Sequence, residues 1–441
     1  MTKLCYSALM LTLLQTGDLH LGKIFYEHSL IEDQAFMLDA LYKELTENAY
    51  DALLISGDIY DRSVPPPEAV SLFDDFLTRV HGACPSLCIC IISGNHDSSK
   101  RLAFGCELFK SHNIHICTEA EKCTRPVFLK NADGQTEAAL YALPFLHGAS
   151  LQTEQGSPLR NQEDLIKEAV FRIKNAHREL RASRKDFEQL PALLLCHVFT
   201  TGAQSGGSER IFAGTAELTE ADVFSFFTYT AAGHIHKTQK IRDNLWYAGS
   251  PLAYSFDEGI SVRFEQKDTK TQERSVKTGT QKNFLRIELD FTKAACRPVV
   301  EPIPVRPLRN VVKIYAGFED IFRGKLYDDY VNDYIEFNYT DSCIIENAAS
   351  RLRERFPFLL SVKKAAELIQ PAFQTESEYK KRLLENTDSL SLHDILYAFL
   401  QDAGLIPASA DSGYKSAVKA WKAEAELFVE TEKEAHTHET A

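Results

Sequence analysis

Asp51-Ala-Leu-Leu-Ile-Ser-Gly-Asp-Ile-Tyr-Asp61 decides how the rest of the chain is read. Its first half is a short apolar run without polar alternation, the pattern of a strand buried on both faces. Its second half turns polar at once: Gly57 allows a tight exit, and Asp58 and Asp61 stand at the mouth. Polar residues at the carboxyl ends of buried strands are where α/β layers place their sites. The signature recurs. Residues 9–14 run into Gly17-Asp-Leu-His20, residues 87–92 into Ser93-Gly-Asn-His-Asp-Ser98, residues 193–196 into His197, and residues 229–232 into Gly233-His-Ile-His236. Helix-like segments at 33–49 and 67–81 separate the first three runs, so the order is β-α-β-α-β and the expected fold class is α/β.

Of the 441 residues, 44% are hydrophobic and 25% charged, which supplies two or three cores and excludes a chain disordered along most of its length. Lys and Arg total 49 against 62 Asp and Glu, a formal charge of −13. That excludes a protein coating nucleic acid by bulk charge, so any DNA contact is local, metal-screened or shared with a partner. No apolar run approaches the ~18–20 residues that cross a bilayer. The apolar residues 8–14 have only Lys3 before them and no small-residue cleavage pattern behind, so neither a signal peptide nor a membrane partner is expected. The ten cysteines are scattered, several within apolar runs, and no Cys-x-x-Cys occurs. This favours buried free thiols in the cytoplasm over disulfides or a zinc site.

From about 296 the texture changes. Pro298, Pro302, Pro304 and Pro307 punctuate a short β-like run, followed by strand candidates at 311–315 and 333–339 and a helix pattern at 344–355. Beyond 373, Leu392, Ile395, Leu396, Phe399 and Leu400 keep one helical face apolar, as do Tyr414, Val418, Trp421, Ala425 and Phe428. The expected division is 1–295 as the main domain, 296–372 as a small α+β domain, and 373–441 as a helical segment.

The polar clusters supply Asp18, His20, Asp58, Asn95, His96, His197, His234 and His236. Carboxylates, imidazoles and one amide oxygen suit two divalent cations of intermediate hardness. A two-metal centre needs a bridging carboxylate, with neutral ligands elsewhere so that a phosphate diester is still attracted. In Asp-x-His and His-x-His the paired side chains at i and i+2 can face one pocket. Each fragment alone is commonplace, but all five closing strands of one chain are poorly explained by chance.

The order Asp-x-His, Gly-Asp-x-x-Asp, Gly-Asn-His-Asp, His, Gly-His-x-His resembles that of the calcineurin-like metallophosphoesterases. Within them it resembles the SbcD family of bacterial nuclease subunits through Ser56-Gly-Asp-Ile-Tyr-Asp-Arg-Ser-Val-Pro-Pro66, Gly94-Asn-His-Asp-Ser98 with Arg101-Leu102, and Ser208-Glu-Arg210. Gly233-His-Ile-His-Lys237 and Tyr247-Ala-Gly-Ser-Pro-Leu-Ala-Tyr-Ser-Phe256 extend the likeness to about residue 260. The resemblance implies a layered β-sandwich flanked by helices, with a small α+β capping domain and a helical C-terminus. It also implies one metal on Asp18, His20, Asp58 and His236 and a second on Asp58, Asn95, His197 and His234, with manganese the usual ion. His96 would be the non-ligand catalytic residue at the leaving 3′ oxygen, and Asp97 would orient its ring, although Asp97 also reads as a plain turn residue. Ser250 and Tyr254 read equally as structural or substrate-contacting.

The implied activity is double-strand exonuclease and single-strand or hairpin endonuclease action in DNA repair, recombination and replication. The implied partners are DNA, a coiled-coil ATPase of the SbcC type, and a second copy in a heterotetramer. No Gly-x-x-x-x-Gly-Lys-Ser/Thr is present, so ATP would belong to the partner. The C-terminal helices read either as its dock or as cover for this chain's own core. Arg351, Arg353, Arg355, Lys363 and Lys364 read either as phosphate contacts or as a solvated face. Two features depart from the pattern. Asp61 stands where archaeal relatives have histidine, as in bacterial members, and nine residues precede Met10, which points to Met10 as an alternative start. A small-molecule phosphatase or cyclic-nucleotide phosphodiesterase shares the same site chemistry. An inactive scaffold is disfavoured by the complete ligand set.

Overall fold

The computed structural model describes residues 10–365 apart from 132–133, 154–155, 207, 209–217, 269–270, 293–295, 342 and 344. Residues 1–9 and the helical patterns expected in 373–441 lie outside the described residues.

Strands β1 (Met10–Thr16), β2 (Ala52–Ile55), β3 (Cys88–Ile92) and β4 (Ile114–Cys117) pair in parallel. Two helices, α1 (Ile31–Glu47) and α2 (Pro67–Ala83), make the crossovers between the first three. Pro67 opens α2 with its φ already helical and no N–H to leave unpaired. Met37, Leu38, Leu41 and Leu45 form the buried stripe of α1 against Phe73, Phe76 and Val80 of α2 and the outer face of the sheet. Each fully buried side chain of this kind contributes about 1.5–3 kcal/mol.

A second layer follows: β5 (Val127–Lys130), β6 (Thr136–Leu143), β7 (Ala192–His197), β8 (Tyr229–Gly233), β9 (Gln239–Arg242) and β10 (Leu245–Tyr247), in the order β9-β10-β8-β7-β6-β5. Its outer face is covered by α3 (Gln162–Ser183), whose first turn is capped by the Asn161 side chain accepting from Glu163 N at 2.8 Å. Leu11, Leu13, Leu54, Leu140, Leu193 and Leu195 fill the space between the two sheets. Gln15, also buried there, donates to Ala232 O at 3.1 Å and accepts from Tyr229 Oη at 2.6 Å. A buried amide satisfied across the seam holds the two layers in one register.

The hairpin β11 (Ile260–Asp268) and β12 (Thr271–Lys277) opens a third sheet, after which β13 (Asn283–Asp290) and β14 (Val299–Pro304) return to the first. The first sheet therefore runs β14-β13-β1-β2-β3-β4. Strands β15 (Val311–Ala316), β16 (Tyr334–Tyr339) and β17 (Leu359–Lys364) complete the third sheet, in the order β12-β11-β15-β16-β17. The layered α/β sandwich with a small α+β addition agrees with the expected fold class.

The expected boundary at 295/296 does not divide the sheets. Ile260 pairs with Val312 in the third sheet, while Val299–Pro304 pairs with β13 in the first. Composition is read along the chain, whereas the Ile260–Val312 pairing joins residues 52 apart across the two strands that return to the first sheet. Pro302 and Pro304 sit on an edge strand, where the missing N–H leaves no ladder bond unmade. The expected helix at 344–355 is a short one, Ala348–Arg353. The basic residues around it are engaged within their own domain. Arg351 lies 4.4 Å over the Phe318 ring, Arg355 binds Gly324 O and Asp328, and Lys363 pairs with Glu336 at 2.6 Å. Among the described residues no helix is long and apolar enough to cross a membrane, and the nine described cysteines are free.

Candidate metal centre

The turns after β1, β2, β3, β7 and β8 meet at one edge of the sandwich because these strands run parallel within their sheets. The turns are stitched through their backbones. Asp18 N donates to Gly57 O at 2.9 Å, His20 N to Asp58 O at 3.0 Å, and Val198 N to Gly233 O at 3.2 Å. Asp18, His20, Asp58 and His234 all lie at positive φ, at 51°, 46°, 49° and 99°. Asp and His tolerate that region better than most residues, yet such backbone still costs of order 1–3 kcal/mol each and persists where the surroundings enforce it. Here it turns four donor side chains inward. Gly94 permits the closest approach: a Cβ there would lie 2.1 Å from Asp58 Oδ1.

The side chains converge in two groups. Asn95 Oδ1 lies 2.9 Å from His197 Nε2 and 3.0 Å from His234 Nδ1, and those two nitrogens are 3.3 Å apart. His197 Nδ1–H donates to Ser56 O at 2.8 Å, which leaves Nε2 a bare lone pair among acceptors. In the second group Asp18, His20 and His236 come together, with His20 Nε2 facing His236 Nε2 at 3.1 Å. Metal–nitrogen bonds of about 2.0–2.2 Å put neighbouring ligand atoms about 3 Å apart, which is the spacing found. Asp58 Oδ2 stands between the groups, 3.7 Å from His20 Nε2 and 3.6 Å from His197 Nε2. A cation within each set of converging ring nitrogens and oxygens would satisfy their lone pairs together. This donor set fits two divalent cations, one in each group with Asp58 shared.

The electrostatics favour the same state. Burial pushes His197, His234 and His236 below the usual imidazole value, His234 to about 3, so all three are neutral and ready to donate lone pairs. Burial would raise Asp58, but His197, His20 and His96 around it hold its carboxyl below the usual carboxylate value. Two cations against the carboxylates of Asp18 and Asp58 leave a net positive pocket that attracts a phosphate.

Residues 11–237, just over half of the chain, match the calcineurin-like phosphoesterase family. The chain belongs to that family. Among solved structures it is similar to a dimetal phosphatase from Danio rerio at 12% identity and a TM-score of 0.32, over 67% of this chain and 98% of that one. That likeness is too distant to bear on substrate.

In this phosphoesterase His96 is half-buried at the edge of the cluster, its ring edge-on to His20 at 4.7 Å. Its Nδ1–H donates to Asp61 O at 2.7 Å, which turns Nε2 toward the site. The expectation that Asp97 orients this ring is not met. The Asp97 carboxylate accepts from Ile59 N at 3.1 Å, Tyr60 N at 2.9 Å and Gly94 N at 2.9 Å. Asp97 ties two ligand-bearing turns together, and the ring is set by a backbone carbonyl that no motif advertises. Burial, then Asp58, push Asp97 up to about 7. Asp61 is held well below the carboxylate range by His20 and Lys23 against its burial, with Lys23 Nζ at 2.7 Å. Tyr254 donates to Leu19 O and walls His20 and His236 with its ring, while Ser250 donates to Leu252 O. Sequence reading passed over Phe145, whose ring lies near-parallel to His234 at 6.4 Å and against His197 at 6.1 Å. It follows β6, a strand whose end carries no metal-ligating motif.

Proposed function

We propose that this phosphoesterase is the Mn²⁺-dependent DNA nuclease subunit of an SbcCD-type complex in DNA repair and recombination. The observation that carries the phosphodiesterase reading is the pair of ligand groups about Asp58 Oδ2, with Asn95, His197 and His234 within 2.9–3.3 Å of one another. Divalent cations there would supply an activated water and charge stabilisation for in-line displacement at phosphorus. Asp18, His20, Asp58 and His236 would hold one, and Asp58, Asn95, His197 and His234 the other. His96, with Nδ1–H committed to Asp61 O, presents Nε2 to stabilise or protonate the leaving oxygen.

The DNA substrate is supported by the motif string from Ser56 to Phe256 and by the third sheet, which a small-molecule enzyme does not need. An ATPase partner and a second copy complete the reading. Nine described cysteines without disulfides are in keeping with action in the cytoplasm. A small phosphodiester as substrate is favoured by one observation: Arg351, Arg355 and Lys363 of the small domain are engaged internally, and the chain carries a net charge of −13. Cleavage of a linear duplex and of bis-p-nitrophenyl phosphate under Mn²⁺, with and without a coiled-coil ATPase, decides between them. Duplex cleavage stimulated by the ATPase is expected. Hydrolysis of the small diester alone, with or without the ATPase, would overturn the nuclease reading.

A further inference from the structure

Behind His236 lies a buried ion pair that the proposed chemistry does not use. Lys282 is 7% exposed and Glu258 4%, and Lys282 Nζ sits 2.5 Å from Glu258 Oε2. Removing two charges from water costs several kcal/mol per ion, so such a pair is weak evidence of a stability role. Its hydrogen bonds can be followed donor by donor. Lys282 Nζ has three protons and three acceptors: Glu258 Oε2, Ser250 Oγ at 2.9 Å and His236 O at 3.0 Å. Ser250 spends its own proton on Leu252 O at 2.8 Å and so can only accept from Lys282. Glu258, as a carboxylate, only accepts; its Oε1 receives Ser208 Oγ–H and Ser255 Oγ–H. Ser208 has one proton and gives it to Glu258. Its oxygen therefore accepts at its 2.6 Å contact with His236 Nδ1, and the imidazole proton is on Nδ1. His236 Nε2 then carries the ring's lone pair, 3.1 Å from His20 Nε2.

We propose that Glu258 and Lys282 are positioning residues which, through Ser208, hold His236 in the tautomer whose Nε2 can bind a cation. The inference rests on the dimetal reading of the site and extends it beyond the ligands. Four residues spread from 208 to 282 form one directed chain ending on a ligand ring. The direction is set by charge: the ammonium makes Glu258 an acceptor at both oxygens, and every proton downstream follows. Partners of this kind that fix a ligand histidine typically change metal affinity 10–100-fold when lost.

Glu258→Gln tests the direction of the chain. Lys282 demands an acceptor, so the amide oxygen turns to it and the NH₂ group faces Ser208. Ser208 then accepts from the amide and gives its proton to His236 Nδ1, which moves the ring proton to Nε2. Nitrogen NMR of the metal-free protein should show His236 as the Nδ1–H tautomer in the wild type and as Nε2–H in the variant. Calorimetric titration with Mn²⁺ should show one site weakened about 10–100-fold and the other unchanged. A folded Glu258→Gln protein with the wild-type tautomer and both affinities intact overturns the proposal. Should that variant not fold, Ser208→Ala keeps the ion pair and breaks the link; unchanged affinity at both sites there also overturns it. The parent reading fails separately, if the wild type binds no Mn²⁺ or if His236→Ala leaves both sites intact.

Discussion

Replacing Gly94 by alanine should disable the centre while leaving the fold in place. The new Cβ would lie 2.1 Å from Asp58 Oδ1, 2.4 Å from Asp58 N and 2.7 Å from Asp58 Cγ. Real Cβ contacts essentially never fall below 3.0 Å, so the two turns must part by about 0.9 Å. The side chain alone cannot absorb this, because Asp58 N belongs to the backbone. The displaced Oδ1 also accepts from His96 N at 2.8 Å, and Oδ2 stands between the two ligand groups. One methyl group thus moves the shared carboxylate and the His96 turn together. A misplacement near 1 Å costs about 10²-fold in rate, and overpacking destabilises by about 1–3 kcal/mol. The assay is kcat/KM for bis-p-nitrophenyl phosphate under saturating Mn²⁺, with thermal melting and metal titration on the same preparation. Gly82→Ala is the control: its Cβ in α2 meets nothing within 4 Å, so activity should be unchanged and stability should rise by up to about 0.5–1 kcal/mol. A folded Gly94→Ala enzyme within threefold of wild-type kcat/KM would refute the reasoning.

His96→Leu should lower cleavage by about 10²–10⁴-fold while metal content measured by mass spectrometry stays near wild type. Comparable loss of metal would instead make His96 a ligand. Asp97→Asn leaves a donor facing one of the three N–H groups of Ile59, Tyr60 and Gly94, and should destabilise by about 1–3 kcal/mol in urea unfolding. No change in the urea midpoint would contradict that role. The chelator-treated protein should weaken on acidification from pH 6.5 to 4.5. His234, His197 and His236 are held below 6.5, His234 at about 3, so the unfolded chain binds more protons in this window and stability rises with pH. His234 contributes up to about 1.4 kcal/mol per pH unit, His197 and His236 act in the same direction, and Asp97, raised to about 7 from 3.8, opposes with one proton. Urea midpoints that stay flat or rise on acidification would contradict this balance.

The five strand ends and the donors on them were legible because both signals are local. A buried strand is a continuous apolar run, and a site at its end is an abrupt polar turn; residues 51–61 contain both. The crossover helices were legible for the same reason, since α1 and α2 keep one apolar stripe at helical spacing. The role of Asp97 was misread because adjacency to His96 implied contact, whereas its carboxylate faces backbone N–H groups that only folding brings near. The domain boundary was misplaced because the proline-marked stretch at 298–307 looks like a linker, and nothing local tells an edge strand from one.

By itself the sequence determined the fold class, the family, and which side chains have the chemistry to hold cations, for these depend on residue type and short-range period. Only the tertiary structure decided which atoms face one another: the carbonyl of Asp61 under His96, the ion pair of Lys282 and Glu258 behind His236, and the return of Val299–Pro304 to the first sheet. Those pairings join residues 11 to 35 positions apart, beyond the reach of any local period. A proton's place on a ring or a strand's choice of neighbour depends on what lies across the gap, and the linear chain does not encode that locally.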